Sequence, residues 1–479
     1  MIQLTKKINT SSDNILIWFL PFLAFLFWFY FSSEEYFLYP DSPGYLSFSP
    51  YRTAGYPLFL MFFQKLHISL YAVSLAQLAL YNIAVSLVMY SMRQVSMSKF
   101  LVILAFIGLA LNPYLTQLHF SILTDSLFVT LILMIIASLI LFLNNKDSIY
   151  LLSLGMFIGL AITIRPSAYS LVPFLVLVIA VGCLYQRRIN IKYFLVGFLP
   201  LLFLIFGEIF IYHSFHQQAV GRNTMLSIHL FGKGAMLQPD KVSFSGPMKK
   251  ELRELDIKVD RAMNPVRLFI ENAPNKEIGN YLRRHYEVFA QYQLLSKERS
   301  LLAQSAGVHN EELLTAWGLS RIKNDISGYL SLTFNHYQSL WLIDSKRYPP
   351  NAKKLDQYLQ QSRPLPYESK PSNYIEHSQP NNIAYLIRFI MLFLFLLTTL
   401  SSLFLLKKIC CMQLPSYPII LSGLLSLAIH GNFLLTALIG VGMKRYALDM
   451  WPMLVIAAIS IIWMCDLLIK KKRNERQTS

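Results

Sequence analysis

Ten apolar runs, most of them near the ~20 residues a helix needs to cross a hydrocarbon core, constrain this chain more than anything else in it. They cover roughly Ile15 to Phe31, Leu70 to Tyr90, Phe100 to Leu111, Ser126 to Leu143, Tyr150 to Ile164, Ala168 to Tyr185, Tyr193 to Tyr212, Ile383 to Leu406, Tyr417 to Ile439 and Ala447 to Ile469. A chain of 479 residues that is 54% hydrophobic and only 14% charged cannot cover so much apolar surface in water. The expected fold class is therefore an all-α polytopic membrane protein of about ten transmembrane helices. The first run follows Lys6 and Lys7 and is not succeeded by a small-residue cleavage site, so it reads as an uncleaved signal anchor.

Charge sets the orientation. The net charge of +17 would suggest nucleic acid in a soluble protein, but here the basic residues gather at the ends of apolar runs, which points to topology and no nucleic-acid partner. With the N-terminus cytoplasmic, Arg93 with Lys99, Lys146, the group Arg187, Arg188 and Lys192, the pair Lys407 and Lys408, and the tail from Lys470 to Arg473 all fall inside. Both termini are then cytoplasmic. The loop 32–69, the turn from Asn112 to Asp125, Arg165-Pro166, the segment from His213 to Asn382 and Lys444-Arg445 share the outer face. Three parts follow: an N-terminal transmembrane catalytic module 1–212, an extracytoplasmic region 213–382 inserted before the last three spans, and C-terminal helices with a basic tail, 383–479. From Asn264 to Trp341 the apolar spacing of the inserted region is helical, whereas Asn351 to Pro380 reads as an irregular loop. The four cysteines lie in or beside apolar runs and make neither a disulfide framework nor a zinc spacing.

Polar residues on the outer side carry the chemistry. In YPDSPGYLSFSPYRTAGYPLFL, residues 39–60, Asp41 is framed by Pro40 and Pro43 and accompanied by Tyr45, Arg52 and Tyr56. Such a carboxylate at the membrane boundary can accept a proton from an attacking hydroxyl; it can equally cap a turn, as Asp before Ser-Pro does. Glu34 and Glu35 are rival carboxylates read as solvated interface charge. Asp125 opens an apolar helix, where the helix dipole alone favours an acid. Arg165 ends the run GLAITIRP, and an arginine in hydrocarbon costs ~2.5–3.5 kcal/mol unless it reaches water or a counter-charge. Arg445, with Lys444, also sits at an outer helix start. Cations outside run against the positive-inside bias, and an anionic phosphate would give them a reason through bidentate hydrogen bonding.

The run Asp41-Ser-Pro-Gly-Tyr45 with Arg52-Thr-Ala-Gly-Tyr-Pro57, then Thr124-Asp125-Ser-Leu-Phe128, Gly159-Leu-Ala with Arg165-Pro166, and Arg445-Tyr446 resembles the pattern of the GT-C superfamily of membrane glycosyltransferases. That superfamily includes the protein O-mannosyltransferases and the lipid A aminoarabinose transferases. The resemblance implies a polyprenyl-phosphate sugar donor, chemistry on the outer face, and a glycan, lipid or protein acceptor, among membrane lipids. It implies that Asp41 is the catalytic base and that Asp125 orients the acceptor or holds a cation. Arg165 and Arg445 would contact the donor phosphate, with Lys444, Arg222 and Lys233 as further candidates and Tyr45, Arg52 and Tyr446 lining the substrate site. Ser42 follows Asp41 where many relatives have Asp-Glu, so no cofactor is required and a divalent cation is an option. Direct displacement would invert the anomeric centre. A single chain of this kind fits a bacterial inner membrane. The alternatives are a transporter or flippase of lipid-linked saccharides, for which Glu208 in FLIFGEIF is the one clear intramembrane carboxylate, and a polymerase or ligase, which usually relies on paired arginines in one large loop.

Overall fold

A computed structural model describes residues 15–32, 36–216, 225–239, 242–342, 357–360, 382–413, 415–442 and 444–478. Arg222, Glu34 and Glu35 and most of the expected loop 351–380 lie outside the described residues. The described chain is helical, with one isolated backbone bridge between Phe37 and Ser121 as its strand-like pairing. It divides into two compact units: Met1–Arg222 with Leu394–Asn432 and Leu448–Ser479, and Asn223–Phe393 with Phe433–Ala447.

In the first unit the helices are α1 (Leu20–Phe31), α2 (Ser42–Leu46), α3 (Gly55–Lys65), α4 (Leu70–Gln94), α5 (Lys99–Ala110), α6 (Pro113–His119), α7 (Asp125–Asn145), α8 (Ser148–Ile164), α9 (Leu171–Gln186) and α10 (Ile191–Phe215). Three more helices enclose the returns to this unit: α17 (Asn382–Cys410), α18 (Tyr417–Ile439) and α20 (Trp451–Thr478). The protein is multi-pass. Among the described residues seven helices are long and apolar enough to cross a membrane, or eight if the bent pair α5 and α6 is one span, so the count of ten is not confirmed. The two expected spans that fall short are Leu16–Phe31 and Ser148–Ile164.

Local chemistry explains the difference. Pro113 starts α6 behind an Asn112 side chain that accepts from Tyr114 N at 3.0 Å, so the chain restarts as a new helix bent by 52°. Pro166 crowds the residue before it out of the helical region, and Arg165 is accordingly extended at φ −147°, ψ 122°. That stop ends α8 after 17 residues.

Helix α7 is the centre of this unit, with 89% of its apolar window buried, whereas α10 at 17% leaves most of its surface for lipid. Small residues set the contact between α8 and α10. A Cβ on Gly155 would collide with the Gly197 carbonyl and come 3.2 Å from Pro200, and one on Gly159 would lie 3.1 Å from Leu201 Cα. Close backbone approach through glycine is how helices gain dispersion contact where lipid removes the hydrophobic drive.

The second unit holds α11 (Leu226–Met236), α12 (Lys249–Glu271), α13 (Lys276–Tyr292), α14 (Ser296–Ser305), α15 (Asn310–Asn324), α16 (Ile326–Trp341) and α19 (Lys444–Leu448). Leu252, Leu255, Val259, Met263, Val266 and Ile270 recur at helical spacing on α12 and pack around Phe231 and Trp317. Arg321, wholly buried, donates to Leu237 O at 2.7 Å while gripping Asp256 and Asp260, and Arg267 donates to Ala235 O at 2.8 Å. Two guanidinium groups thus satisfy the last carbonyls of α11.

The glycines differ in a way that can be measured. Nothing lies within 4 Å of a Cβ built on Gly207. Gly155→Ala should lower the thermal midpoint of the purified protein, at a cost of ~1–3 kcal/mol from overpacking. Gly207→Ala should leave it unchanged or raise it, since alanine in a helix is favoured over glycine by ~0.8–1.0 kcal/mol.

Candidate functional site

The first loop is stitched to two helix ends. Phe37 N donates to Phe120 O at 2.8 Å and Ile122 N to Phe37 O at 3.0 Å. Ser42 Oγ donates to Ile122 O at 2.9 Å and accepts from Tyr39 N at 2.9 Å. These bonds pin the segment carrying Asp41 beside the start of α7. Further along, Thr53 Oγ1 donates to Ile164 O at 2.8 Å, and a Cβ on Gly55 would lie 2.8 Å from the Thr163 carbonyl oxygen. Only glycine allows that approach, which holds the segment carrying Arg52 against the end of α8, next to Arg165.

Five residues singled out from sequence are thereby brought together. Arg52 Nη2 donates to Asp41 Oδ1 at 2.6 Å and Nη1 to Tyr45 Oη at 3.2 Å, and its Cζ lies 4.4 Å from the centre of the Tyr45 ring. Gly44 makes room for this guanidinium, since a Cβ there would lie 3.1 Å from Arg52 Nε. Arg165 Nη1 sits 3.2 Å from Asp125 Oδ1 and 2.7 Å from Asp449 Oδ2. Tyr45 stands between the two groups, near enough to Thr124, Arg52, Arg165 and Asp41 for each to act on its hydroxyl. Burial pushes its hydroxyl above the usual range, with Arg52 pulling the other way, so it serves as a neutral hydrogen-bonding group.

Exposure separates the acids. The Asp41 side chain is 38% exposed, against 2% for Asp125 and 3% for Asp449. Asp449 was not singled out from sequence. Its signal is the one that flagged Asp125, an acid at the mouth of an apolar helix, in KRYALDMWP. Arg165 is neither snorkelling nor idle: it stands between two carboxylates, and this trio carries a formal charge of −1. Among the described residues no three of His, Cys, Asp and Glu gather as a metal-ligand set. The position between Asp125 and Asp449, where a cation held by Asp125 would be sought, is taken by the Arg165 guanidinium.

Glu208 is buried and accepts from Ala54 N at 2.9 Å. That contact tethers the first loop to α10 and gives the carboxylate a structural role.

The remaining expected site residues belong to the second unit. Lys444 and Arg445 open α19, and the Arg445 Cζ lies 5.3 Å from the Tyr446 ring centre. Lys233 departs from the expectation of a substrate contact: it has no exposed surface, and its Nζ lies 3.5 Å from Glu287 Oε1. Glu287 Oε2 is 2.6 Å from His336 Nε2, while Gly442 N donates to His336 Nδ1 at 3.3 Å. An Nδ1 that accepts leaves Nε2–H to donate to Glu287, which assigns His336 as the neutral Nε2-H tautomer. Burial alone would raise the Glu287 carboxyl, but the His336 ring that hydrogen-bonds it, when it carries charge, and the Lys233 ammonium outweigh that and hold the group at about 2.

No protein-family model and no curated protein matches the chain. Among solved structures it is similar to the crystal structure of ArnT from Cupriavidus metallidurans bound to undecaprenyl phosphate, at 10% identity and a TM-score of 0.34 over 94% of this chain and 77% of that one. A likeness this loose transfers neither residue roles nor substrate.

The two arginine clusters should respond differently to truncation. Arg165→Met strands two buried carboxylates and should cost ~3–5 kcal/mol, whereas Arg52→Met breaks a pair with one well-exposed partner and should cost below ~1 kcal/mol. Thermal midpoints of the two variants in one detergent give the comparison. In the second unit, Glu287 has a folded value near 2 against an ordinary 4.5, so its stabilising contribution is complete above 4.5 and is lost as the pH falls towards 2. Glu287→Gln should lower the midpoint at pH 7 and flatten that acid limb, as followed by hydrogen exchange of the peptides covering 281–292 and 326–341.

Proposed function

We propose that this protein is an integral-membrane glycosyltransferase of the GT-C kind, moving a sugar from a polyprenyl-phosphate donor to an acceptor hydroxyl at the extracytoplasmic face with inversion. The reading is supported by the order and sidedness of the short motifs. It is also supported by the clustering of the residues those motifs nominate: Asp41, Tyr45, Arg52, Asp125 and Arg165.

One observation carries the assignment of roles. Of the three carboxylates in the cluster, Asp41 alone has substantial exposed surface. A general base has to reach the proton it removes, and sealed carboxylates cannot. In the proposed step Asp41 takes the proton of the acceptor hydroxyl as that oxygen bonds to the anomeric carbon, and the bond from this carbon to the phosphate oxygen breaks. Arg52 fixes one Asp41 oxygen and so holds the carboxylate in place for the attack.

Arg165 takes a different role from the one the resemblance implied. Its guanidinium is buried and already pairs with Asp125 and Asp449, which leaves it less available to a donor phosphate. We assign Arg165 to positioning: with Asp125 it sets the floor on which Tyr45 and Thr124 rest. Arg445 and Lys444 stay as proposed donor-phosphate contacts, and the acceptor class, a glycan, a lipid or a protein, is open. Placement in a bacterial inner membrane with both termini cytoplasmic belongs to the same proposal and rests on the distribution of positive charge in the short loops.

Asp41→Asn keeps a side-chain oxygen for Arg52 and removes the basicity. Transfer from a radiolabelled polyprenyl-phosphate sugar should fall by ~10²–10⁴-fold, the usual worth of a general base, with protein yield and donor binding retained. Ordinary turnover by this variant would remove Asp41 from the chemistry.

A further inference from the structure

Helix α16 is inverted in polarity. A water-facing helix buries its apolar stripe and shows charge outside, as α12 does with Leu255, Val259 and Met263 inside and Lys250, Glu254 and Lys258 along its length. In α16 the buried side mixes Thr333, Asn335, His336 and Ser339 with Leu332, Leu340 and Trp341. Its outer side shows Ile326, Leu330 and Phe334, which are 59%, 56% and 57% exposed and recur every four residues on one stripe. The exposed positions beside them are Ser327 and Ser331, and the sequence ISGYLSLTFNHYQSLW contains no Asp, Glu, Lys or Arg. Every other helix of ten residues or more lying wholly within this unit has at least one of those four residues.

Its packing adds a second, independent observation. Tyr329 Oη donates to Leu438 O at 2.9 Å, and the Trp341 and Phe433 rings are 5.0 Å apart. Both partners lie on the last turns of α18, a membrane-crossing helix whose Leu434 and Ile439 are themselves exposed. Residues near the start and at the end of α16 thus both meet the last turns of α18. Sixteen residues span ~24 Å, less than the ~30 Å of a hydrocarbon core, so α16 is too short to be a further span.

We propose that α16 is a membrane-embedded helix lying across the end of α18, with the Ile326, Leu330 and Phe334 face buried among lipid acyl chains. An exposed apolar stripe of this kind is unfavourable in water and neutral in hydrocarbon. Two of the polar groups turned inward are held by protein, His336 by Glu287 and Gly442 and Ser339 by Gly442 O at 2.8 Å, whereas the buried Thr333 hydroxyl has no hydrogen-bond partner among the described residues. Residues 326–341 thus belong to the lipid, although the surrounding region reads as extramembranous. This inference does not rest on the proposed enzymatic activity.

The test uses the full chain with its native cysteines replaced, labelled with a small fluorophore on a single new cysteine and reconstituted into nanodiscs with acyl-brominated phosphatidylcholine. Phe203→Cys on α10, 75% exposed on a membrane-crossing helix, is the lipid reference, and Ile257→Cys on the charged α12, 56% exposed, is the water reference. Phe334→Cys should lose fluorescence to bromolipid as the label at 203 does and resist aqueous iodide, which should quench the label at 257. Leu330→Cys reports the same face should the first variant elute as aggregate. Iodide quenching without bromolipid quenching at both positions overturns the proposal. Protection from both quenchers overturns it too, because the face would then be covered by protein, either a second copy or another part of this chain.

Discussion

The first unit depends on one buried guanidinium. Arg165 reaches Asp125 on α7 and Asp449 just before α20, so three segments widely separated in the chain are fixed to one another through a single side chain. Charges removed from water have to be matched closely, since each uncompensated group costs several kcal/mol. The geometry that allows the match is set by a proline. Without Pro166 the helix would carry on, and the Arg165 side chain would not leave the end of α8 where Asp125 and Asp449 lie. The first loop then builds on this floor. Thr53 and Gly55 bind the end of α8, Ser42 and Phe37 bind the approach to α7, and Asp41 with Arg52 is carried to a partly exposed position between them.

Much of this was legible along the chain, and the limits were physical. Apolar length identifies helices that cross a membrane because hydrocarbon enforces it, and all seven full-length crossings coincide with expected runs. Length alone misjudged the short ones, because Pro166 and the Asn112-Pro113 step end helices inside apolar composition. Asp125 and Arg165 were each legible as anomalies, an acid and a base in apolar surroundings, with a helix cap and a snorkelling cation as local explanations. Their pairing was not legible, since it joins residues forty positions apart, and a single sequence carries no record of which distant charges meet. Asp449 shows the same gap from the other side: it looks like a helix-start acid until Arg165 is seen beside it.

Lys233 and Glu208 show where composition misleads. A lysine between two glycines reads as an accessible phosphate ligand, but here the glycines let α11 approach its neighbours: Cβ atoms on Gly232 and Gly234 would run into Gln291 and Trp317. The close packing that follows seals the lysine among Glu287 and His336. Glu208 reads as an intramembrane carboxylate of the transport kind, and it is occupied by one backbone N–H of the first loop.

Helix α16 and the Arg165 trio turn on one physical rule, that surroundings decide which face of a helix should be polar. Around Arg165 the low dielectric makes paired charge obligatory and leaves Asp41, at the rim, as the carboxylate free of that burial. On α16 it makes inward polarity workable, because His336 and Ser339 are held by protein while the outward stripe asks nothing of a hydrocarbon solvent. A periodicity argument detects the helix in both cases but not its sense, since an apolar stripe at helical spacing is equally a core-facing or a lipid-facing one. The sense comes from what the opposite face carries. On α12 that face is charged and the stripe is inside; on α16 the opposite face is uncharged, mixes polar with apolar side chains and is buried, and a second apolar stripe is outside.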